Sequence, residues 1–561
     1  MEMNNKKNII LEEYENEFSY KKSKTNLDIQ FNRIAFIFFV FLVISVIYSI
    51  QLLHLGSLKE ENTKEFSTIN KNYRADILDR NGNYLVKTVK SIDIGINPIE
   101  VIDKKKLLIN LQLIFPDKNY EEITKKLEKN KFFYLEKKIS SDNYEKIMLL
   151  GDKSIKSEEK LTRIYPQKNL FSHIIGQIDD DNRGISGLEK SFNEKLKQTS
   201  EPLKLTVDTD IQFLIREELV KFQSIFRSKG STAILMNVNN GEIISMVSYP
   251  DFDLNKREKI VDLNFINRAT KGVYELGSVF KIFTVAAGLE EGLIDINTKF
   301  LDLPKTIYCA GKPIREYNNK IPSDLTVEQI LIRSGNIGSV RIGQKLEIIK
   351  LKAFLEKIGI LSKINFDIEE VGEPIPFKWG KCKLATVSFG HGITTTPLQL
   401  AKAYAIISNG GFEVEPSLIK KELKDPQKKR RIIKEGISKK INLILRKIVA
   451  TKEGTAGLVN IKGYEVGGKT GTAEKSIAGG YTRKAKVNTF AGVFPASNPK
   501  YVLIVLLDEP KTSSDYVYEY KNKKGSYKGT PFNTAGWTSV EVAGKIIEKI
   551  GPILATKHME N

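Results

Sequence analysis

Ser278 and Lys281 stand three residues apart in "YELGSVFKIFT", a spacing at which a serine hydroxyl can act as nucleophile with a lysine amine as its base. On a helix such a pair shares one face, about 5–6 Å apart at Cβ. A helix start also offers backbone N–H groups and a positive dipole end to a developing oxyanion. Spacing alone does not select this pair, because Ser19/Lys22, Ser157/Lys160, Ser417/Lys420 and Ser497/Lys500 repeat it. Context does. Gly277 frees the backbone for a sharp turn into Ser278. Ser157 lies in the charged "KSEEK", Ser417 follows "EVEP", Pro499 interrupts the Ser497 pair, and Ser19 precedes a long apolar segment.

A serine acyl-transfer site of the Ser-x-x-Lys type is completed by a Ser-x-Asn and a Lys-Thr-Gly. The chain holds three Ser-x-Asn strings, beginning at Ser141, Ser191 and Ser334, and the first is a literal Ser-Asp-Asn. Only Ser334-Gly335-Asn336 falls between Ser278 and the single Lys-Thr-Gly, Lys469-Thr470-Gly471, which continues into Thr472 as "KTGTA". Order therefore selects Ser278, Lys281, Ser334, Asn336 and Lys469. His391, in "SFGHG", reads as a loop or cleft-lining residue, since a lysine already serves as base.

The elements that must position these groups follow from periodicity. "LKLTVDTDIQFLIREELVKF" reads as a strand, an Asp/Thr cap and an amphipathic helix. "STAILMNVNNGEIISMVSYP" reads as two strands joined at Asn239-Asn240-Gly241. Helical stretches are expected over 278–290, 326–334, 349–358 and 397–409. Strands return in "EVGGKTGTAE", "VNTFAGVFPA" and "KYVLIVLLDE", and a helix closes over 538–550. This order fits an α+β domain: an antiparallel sheet flanked by helices, its strands split between the two ends of the domain. Residues 56–200 form a separate mixed, lysine-rich region, so the expected organisation is a tail over 1–33, a membrane helix over 34–55, a mixed domain over 56–200, a domain carrying the serine and lysine motifs over 201–555 and a short tail over 556–561.

Over residues 34–58 no side chain is ionisable at neutral pH except His54, which suits a bilayer-spanning helix better than a cleaved signal. Positive charge is equal on its two flanks, so charge counting does not orient it. The formal charge of +20 arises entirely after this segment, because residues 1–33 carry six Lys/Arg and six Asp/Glu. No basic run is interleaved with aromatics, so nucleic acid is not an expected partner. Two cysteines and four histidines without ligand spacing argue against structural zinc and against a disulfide scaffold. Neither metal nor cofactor is expected.

With these motifs in order, the chain resembles the class B penicillin-binding proteins, which are monofunctional peptidoglycan D,D-transpeptidases. "RADILDRNG", "RIYP", "HIIG" and "GISGLE" resemble motifs of that family's non-catalytic domain; "GEIISMVSYPDFDLN", "SFGHGITTTPLQLAKAYAIISNGG" and "TAGW" resemble its transpeptidase domain. Departures are Ala75 for glycine, Leu276 for the proline usual before Gly-Ser, Lys168 and Asn169 where a glycine is common, and Gly335 within Ser-x-Asn. The resemblance implies that Ser278 forms an acyl-enzyme on a stem peptide and Lys281 takes its proton. It further implies that Ser334 relays a proton to the leaving D-alanine and Asn336 holds the substrate amide. Lys469 and Thr470 would bind the terminal carboxylate, Gly471 and Thr472 would line the substrate site, and the N–H groups of Ser278 and Thr472 would form the oxyanion hole. Residues 56–200 would be a non-catalytic pedestal or dimerisation-type domain beside a transpeptidase domain over 201–555. It implies stem peptides as substrate, β-lactams as covalent inhibitors, and a membrane glycosyltransferase with other division proteins as partners. The anchor would then sit in the inner (cytoplasmic) membrane with the N-terminus in the cytoplasm and the catalytic domain in the periplasm. "YELGSVFK" and "SFGHG" resemble the division type more than the elongation type, which points to the septum. The alternatives are an elongation-type enzyme, a β-lactam-sensing receptor and a divisome scaffold. A β-lactamase is disfavoured by the anchor and the 56–200 region, and a bifunctional synthase by the absence of a glycosyltransferase domain.

Overall fold

The computed structural model describes residues 26–57, 73–256, 265–421, 430–477, 480–520 and 524–557. It divides into two units, 1–70 and 71–561. In the first, helix α1 (Asn26–Ser57) contains a 21-residue stretch, Arg33–Leu53, that is long and apolar enough to cross a membrane and is wholly exposed. Most of the expected 1–33 tail and residues 558–561 lie outside the described residues.

The second unit begins with a pedestal. Strand β1 (Tyr84–Ile96) pairs antiparallel with β2 (Phe133–Glu136) at its far end and with β3 (Ile155–Ile164) along most of its length. Helices α2 (Lys104–Ile114), α3 (Tyr120–Glu128) and α4 (Ser141–Met148) close a small separate core of Ile94, Ile96, Leu107, Leu111, Leu127 and Ile147. The literal Ser141-Asp142-Asn143 is the first turn of α4, capped by Ser140. At the base of the pedestal, Glu189 takes Arg74 on one carboxylate oxygen (2.5 Å) and Arg163 on the other (3.0 Å), all three buried. One buried carboxylate thus ties "RADILDRNG", "RIYP" and "GISGLE" together. Removing it would strand two guanidinium charges, so the ion pairs specify this arrangement more than they add net stability.

The sheet of the catalytic domain follows helix α5 (Thr209–Phe226), whose N-terminus is capped by Asp208. Strands β4 (Gly230–Asn237) and β5 (Ile243–Tyr249) form the expected hairpin. A small hairpin, β6 (Thr306–Cys309) and β7 (Lys312–Arg315), lies outside the main sheet. Strands β8 (Gly467–Ile477), β9 (Gly480–Phe494) and β10 (Tyr501–Asp508) complete an antiparallel sheet in the order β8-β9-β10-β4-β5. Every residue of β10 is buried, so both faces of the sheet are covered. Helices α6 (Lys281–Glu290), α7 (Val327–Ile332), α8 (Asn336–Lys357) and α9 (Lys381–Val387) pack on one another and on α11 (Glu435–Ala450), while α10 (Pro397–Ser408), α11 and α12 (Ser539–Lys557), together with α5, pack on the sheet. One core runs without a break from Ala75 and Leu203 of the pedestal base into the sheet.

Two sequence expectations change. The helix expected over 349–358 begins at Asn336 and carries a non-helical residue, Glu347, inside it, and α11 was not anticipated. Gly338 and Gly343 depress helix propensity in the first half of α8, yet both are required there. A Cβ on Gly338 would meet Ile330 at 2.5 Å, and one on Gly343 would meet the Ser388 hydroxyl at 1.8 Å. The second correction concerns the cysteines: Cys309 at the end of β6 is bonded to Cys382 in α9, with Cα atoms 5.5 Å apart across 73 residues of sequence. Two cysteines so far apart carry no spacing signal, and only the fold brings them together.

Candidate active site

Tyr274 bridges to Thr395, and the chain then turns sharply into a 3-10 turn, Gly277–Phe280, that leads into α6. Leu276 is fully buried in the main core, so packing holds the position where the family resemblance expects proline. Gly277 has φ +64, and a Cβ there would sit 2.9 Å from the Thr472 carbonyl oxygen. On the facing strand, a Cβ on Gly471 would come 2.1 Å from the Leu276 carbonyl oxygen. These paired contacts press the edge strand β8 against the turn carrying Ser278. They explain glycine at Gly277 and Gly471, and they bring the backbone of Thr472 next to that of Ser278. Ser278 is half-buried, and its hydroxyl makes no hydrogen bond among the described residues. Its N–H lies in a first helical turn, where an intrahelical partner is lacking.

Lys281 is fully buried one turn further on. Its Nζ donates to the Ser334 carbonyl (2.5 Å) and Asn336 Oδ1 (2.7 Å), and lies 3.2 Å from Ser334 Oγ. Ser334 sits between α7 and α8 with φ +56, an uncommon conformation for serine that turns its hydroxyl and carbonyl inward. Lys469, also fully buried, donates from Nζ to the same Ser334 Oγ at 2.8 Å and to the Thr470 carbonyl at 3.1 Å. One hydroxyl therefore lies between two lysines. Thr470 Oγ1 is 2.7 Å from Thr455 Oγ1, and Thr472 Oγ1 accepts from the Ala535 N–H in "TAGW".

Burial lowers the pKa of Lys281 from 10.5 to about 7, against the opposing pull of the Glu316 carboxylate. Burial also lowers that of Lys469 well below its ordinary value, and the neighbouring Lys281 charge pushes it the same way. Each charged lysine disfavours charge on the other, so the pair titrates as a unit.

The structure thus gathers Ser278, Lys281, Ser334, Asn336, Lys469, Thr470, Gly471 and Thr472 around one cleft. His391 lines its flank: Nδ1 is 3.7 Å from Glu275 Oε2, and the ring packs on Tyr481 at 4.2 Å. Burial pushes its pKa below the ordinary value, with Glu275 opposing. Sequence reasoning missed Glu316, whose carboxylate accepts from the N–H groups of Asn336 (2.7 Å) and Ile337 (2.9 Å), and Arg315, whose carbonyl accepts from Asn336 Nδ2 at 2.7 Å. No motif marks either one. Among the described residues no group of three or more His, Cys, Asp or Glu is placed to hold a metal ion. The arrangement can support serine acylation assisted by an amine whose charge burial disfavours.

Comparison with known proteins gives two family matches: a penicillin-binding protein transpeptidase domain over residues 231–530 and a penicillin-binding protein dimerisation domain over residues 69–223. The chain is 30% identical over 497 residues to the probable peptidoglycan D,D-transpeptidase FtsI of Caulobacter vibrioides, covering 86% of this chain and 82% of that one. It is 28% identical to the peptidoglycan D,D-transpeptidase FtsI of Escherichia coli, covering 84% of each. It is 31% identical to the stage V sporulation protein D of Bacillus subtilis, covering 78% and 74%. In fold it is similar to a peptidoglycan synthetase from Bifidobacterium adolescentis, with TM-score 0.64 at 21% identity over 86% of this chain and 96% of that one.

Proposed function

Because the chain belongs to the class B penicillin-binding proteins of the FtsI type, we propose that its peptidoglycan D,D-transpeptidase activity runs through an acyl-Ser278 intermediate and serves the division septum. The observation that carries the residue assignment is the placing of the Ser334 hydroxyl between Lys281 and Lys469.

Ser278 Oγ attacks the carbonyl that links the last two D-alanines of a stem peptide, and Lys281, neutral in about half of the molecules near pH 7, takes its proton. The N–H groups of Ser278 and Thr472 receive the charge developing on the carbonyl oxygen, usually the largest electrostatic contribution in acyl transfer. As the tetrahedral adduct collapses, Lys281 returns the proton through Ser334 to the departing D-alanine nitrogen. Asn336 holds the substrate amide, and Lys469 with Thr470 binds the terminal carboxylate. The amine of a neighbouring stem then attacks the acyl-serine ester, forming the crosslink and releasing Ser278. A β-lactam enters by the same first step and keeps its leaving group tethered, which suits a covalent inhibitor.

We place α1 in the inner membrane, with the N-terminus in the cytoplasm and residues 71–561 in the periplasm. Two features support this: the substrate lies outside the cytoplasmic membrane, and the Cys309–Cys382 disulfide belongs to an oxidising compartment. The partners this implies are a membrane glycosyltransferase and other division proteins, with residues 56–200 as the recruiting pedestal and residues 201–555 as the catalytic domain.

The test is labelling with a fluorescent penicillin. The wild-type chain is expected to be acylated, and Ser278→Ala to give no label while melting as the wild type does; label persisting on that variant removes Ser278 from the role. Depletion in the host is expected to give filaments, and round cells would assign the enzyme to elongation.

A further inference from the structure

Within the catalytic site, Asn336 is held in a way that its own motif does not explain. Gly335, the residue before α8, has no side chain with which to cap the helix. The cap comes instead from outside the helix. Glu316 reaches across with both carboxylate oxygens, Oε2 accepting from the Asn336 N–H and Oε1 from the Ile337 N–H. These are two of the donors that an α-helix leaves unpaired at its start, and a carboxylate there also meets the positive end of the helix dipole.

The residue before Glu316 fixes the Asn336 side chain. A carbonyl can only accept, so the Arg315 carbonyl takes the amide Nδ2 of Asn336. That leaves Oδ1 facing Lys281 Nζ at 2.7 Å, the sense in which the amide can accept from the lysine. Two consecutive residues thus set both the backbone and the amide orientation of Asn336, and through it one of the three contacts of Lys281. They end the β6–β7 hairpin, in which Arg315 pairs with Thr306 and Lys312 with Cys309. Cys309 is in turn bonded to Cys382 in α9, which leads into the "SFGHG" loop.

We propose that Glu316 is a positioning residue for the acylation step, holding Asn336 and Lys281 in register through the α8 N-terminus. This rests on the transpeptidase reading above. The charged and titratable groups around it are Lys281 on α6, Lys469 on β8 beyond it, Arg333 at the end of α7 and the adjacent Tyr317. Tyr317 OH donates to the Arg333 carbonyl. Burial raises the Tyr317 pKa, with the Glu316 charge next and Arg333 opposing, and the same carboxylate acts on Lys281 against burial.

The experiment uses the full-length protein in detergent and follows the second-order acylation rate by a fluorescent penicillin between pH 5.5 and 9, with melting measured alongside. In Glu316→Gln the carboxylate that favours protonated Lys281 is gone. The acid limb of the profile is therefore expected to move to lower pH. The plateau is expected to fall about tenfold as one cap hydrogen bond and the charge are lost. Glu316→Asp, which withdraws the carboxylate by one methylene, is expected to keep the acid limb in place and to give an intermediate rate. A Glu316→Gln profile that coincides with wild type in limb and plateau, with or without a lowered melting temperature, overturns the proposal. If the Gln variant does not fold, a wild-type rate in Glu316→Asp overturns it. Ser278→Ala measured in parallel separates the two claims. Label persisting there overturns the nucleophile on which this inference rests. Normal wild-type labelling with an unmoved Glu316→Gln profile overturns this inference alone.

Discussion

If Lys281 is the base, the rate of acylation must follow the fraction of Lys281 that is unprotonated. A lysine at its ordinary pKa of 10.5 would be free in only about one molecule in three thousand at pH 7. Held at about 7, it is free in about half. The difference corresponds to about 5 kcal/mol between the two protonation states, supplied by burial of the whole side chain. The second-order rate constant for acylation by a fluorescent penicillin should therefore reach a plateau above about pH 8 and fall about tenfold for each pH unit below about 6.5. In Lys281→Arg the guanidinium stays protonated throughout, so no acid limb is expected and the rate should lie about 10²–10⁴-fold below the wild-type plateau. A profile still climbing beyond pH 9 would mean that the lysine is not depressed. A limb near pH 4.5 would hand the role to a carboxylate. A profile flat from about pH 4 to 9 would remove proton transfer to Lys281 from the rate.

The same depressed pKa affects stability. The folded state binds fewer protons than the unfolded one between about pH 7 and 10.5, so wild type should gain on Lys281→Met by about 1.4 kcal/mol per pH unit as pH rises through that window; thermal or urea melts at pH 7, 8 and 9 read the difference. Gly471→Ala places a methyl group into the Leu276 carbonyl and should cut acylation at least tenfold with a lowered melting temperature, whereas wild-type labelling would show that β8 can retreat from the turn. Leu276→Ala leaves a cavity under the nucleophile and should cost about 2–5 kcal/mol in urea unfolding. Replacing Cys309 and Cys382 together by serine opens a 73-residue loop and should cost about 4 kcal/mol by loop entropy, read from the same melts with and without reductant.

Much of the site is legible in the sequence because three of its parts carry local marks. Gly277 before Ser278 and Gly471 after Thr470 record contacts between backbones, and the β-branched and apolar runs in 467–508 record a sheet. The order of Ser278, Ser334 and Lys469 along the chain then reflects which elements can meet. The groups that are not legible act across long separations. Glu316 is 20 residues from the N–H it accepts, in a lysine-rich stretch where one more carboxylate has no pattern. The Cys309–Cys382 pair and the start of α8 share that difficulty. The glycines of α8 exist for close approach to Ile330 and Ser388, and a propensity argument reads them as breakers. Leu276 shows the converse: the sequence marks it as a departure, and the structure shows core packing holding the turn.

The arrangement also bears on when the base becomes available. Two buried lysines facing one hydroxyl cannot both carry charge cheaply, and burial depresses both. A substrate that brings a carboxylate to Lys469 changes this balance. The anion favours the charged form of Lys469, and a charged Lys469 a short distance beyond Ser334 Oγ disfavours a proton on Lys281. Carboxylate binding at one end of the site thus frees the amine at the other, next to Ser278. A stem peptide ending in D-alanine and a β-lactam both carry that carboxylate, whereas an amide at the same place would leave Lys281 partly protonated at neutral pH. The requirement for a terminal carboxylate then lies in the proton balance of the site as well as in binding. Esterifying the carboxylate of a penicillin should accordingly slow acylation more at pH 6.5 than at pH 8.5, and equal slowing at both would limit the carboxylate to anchoring.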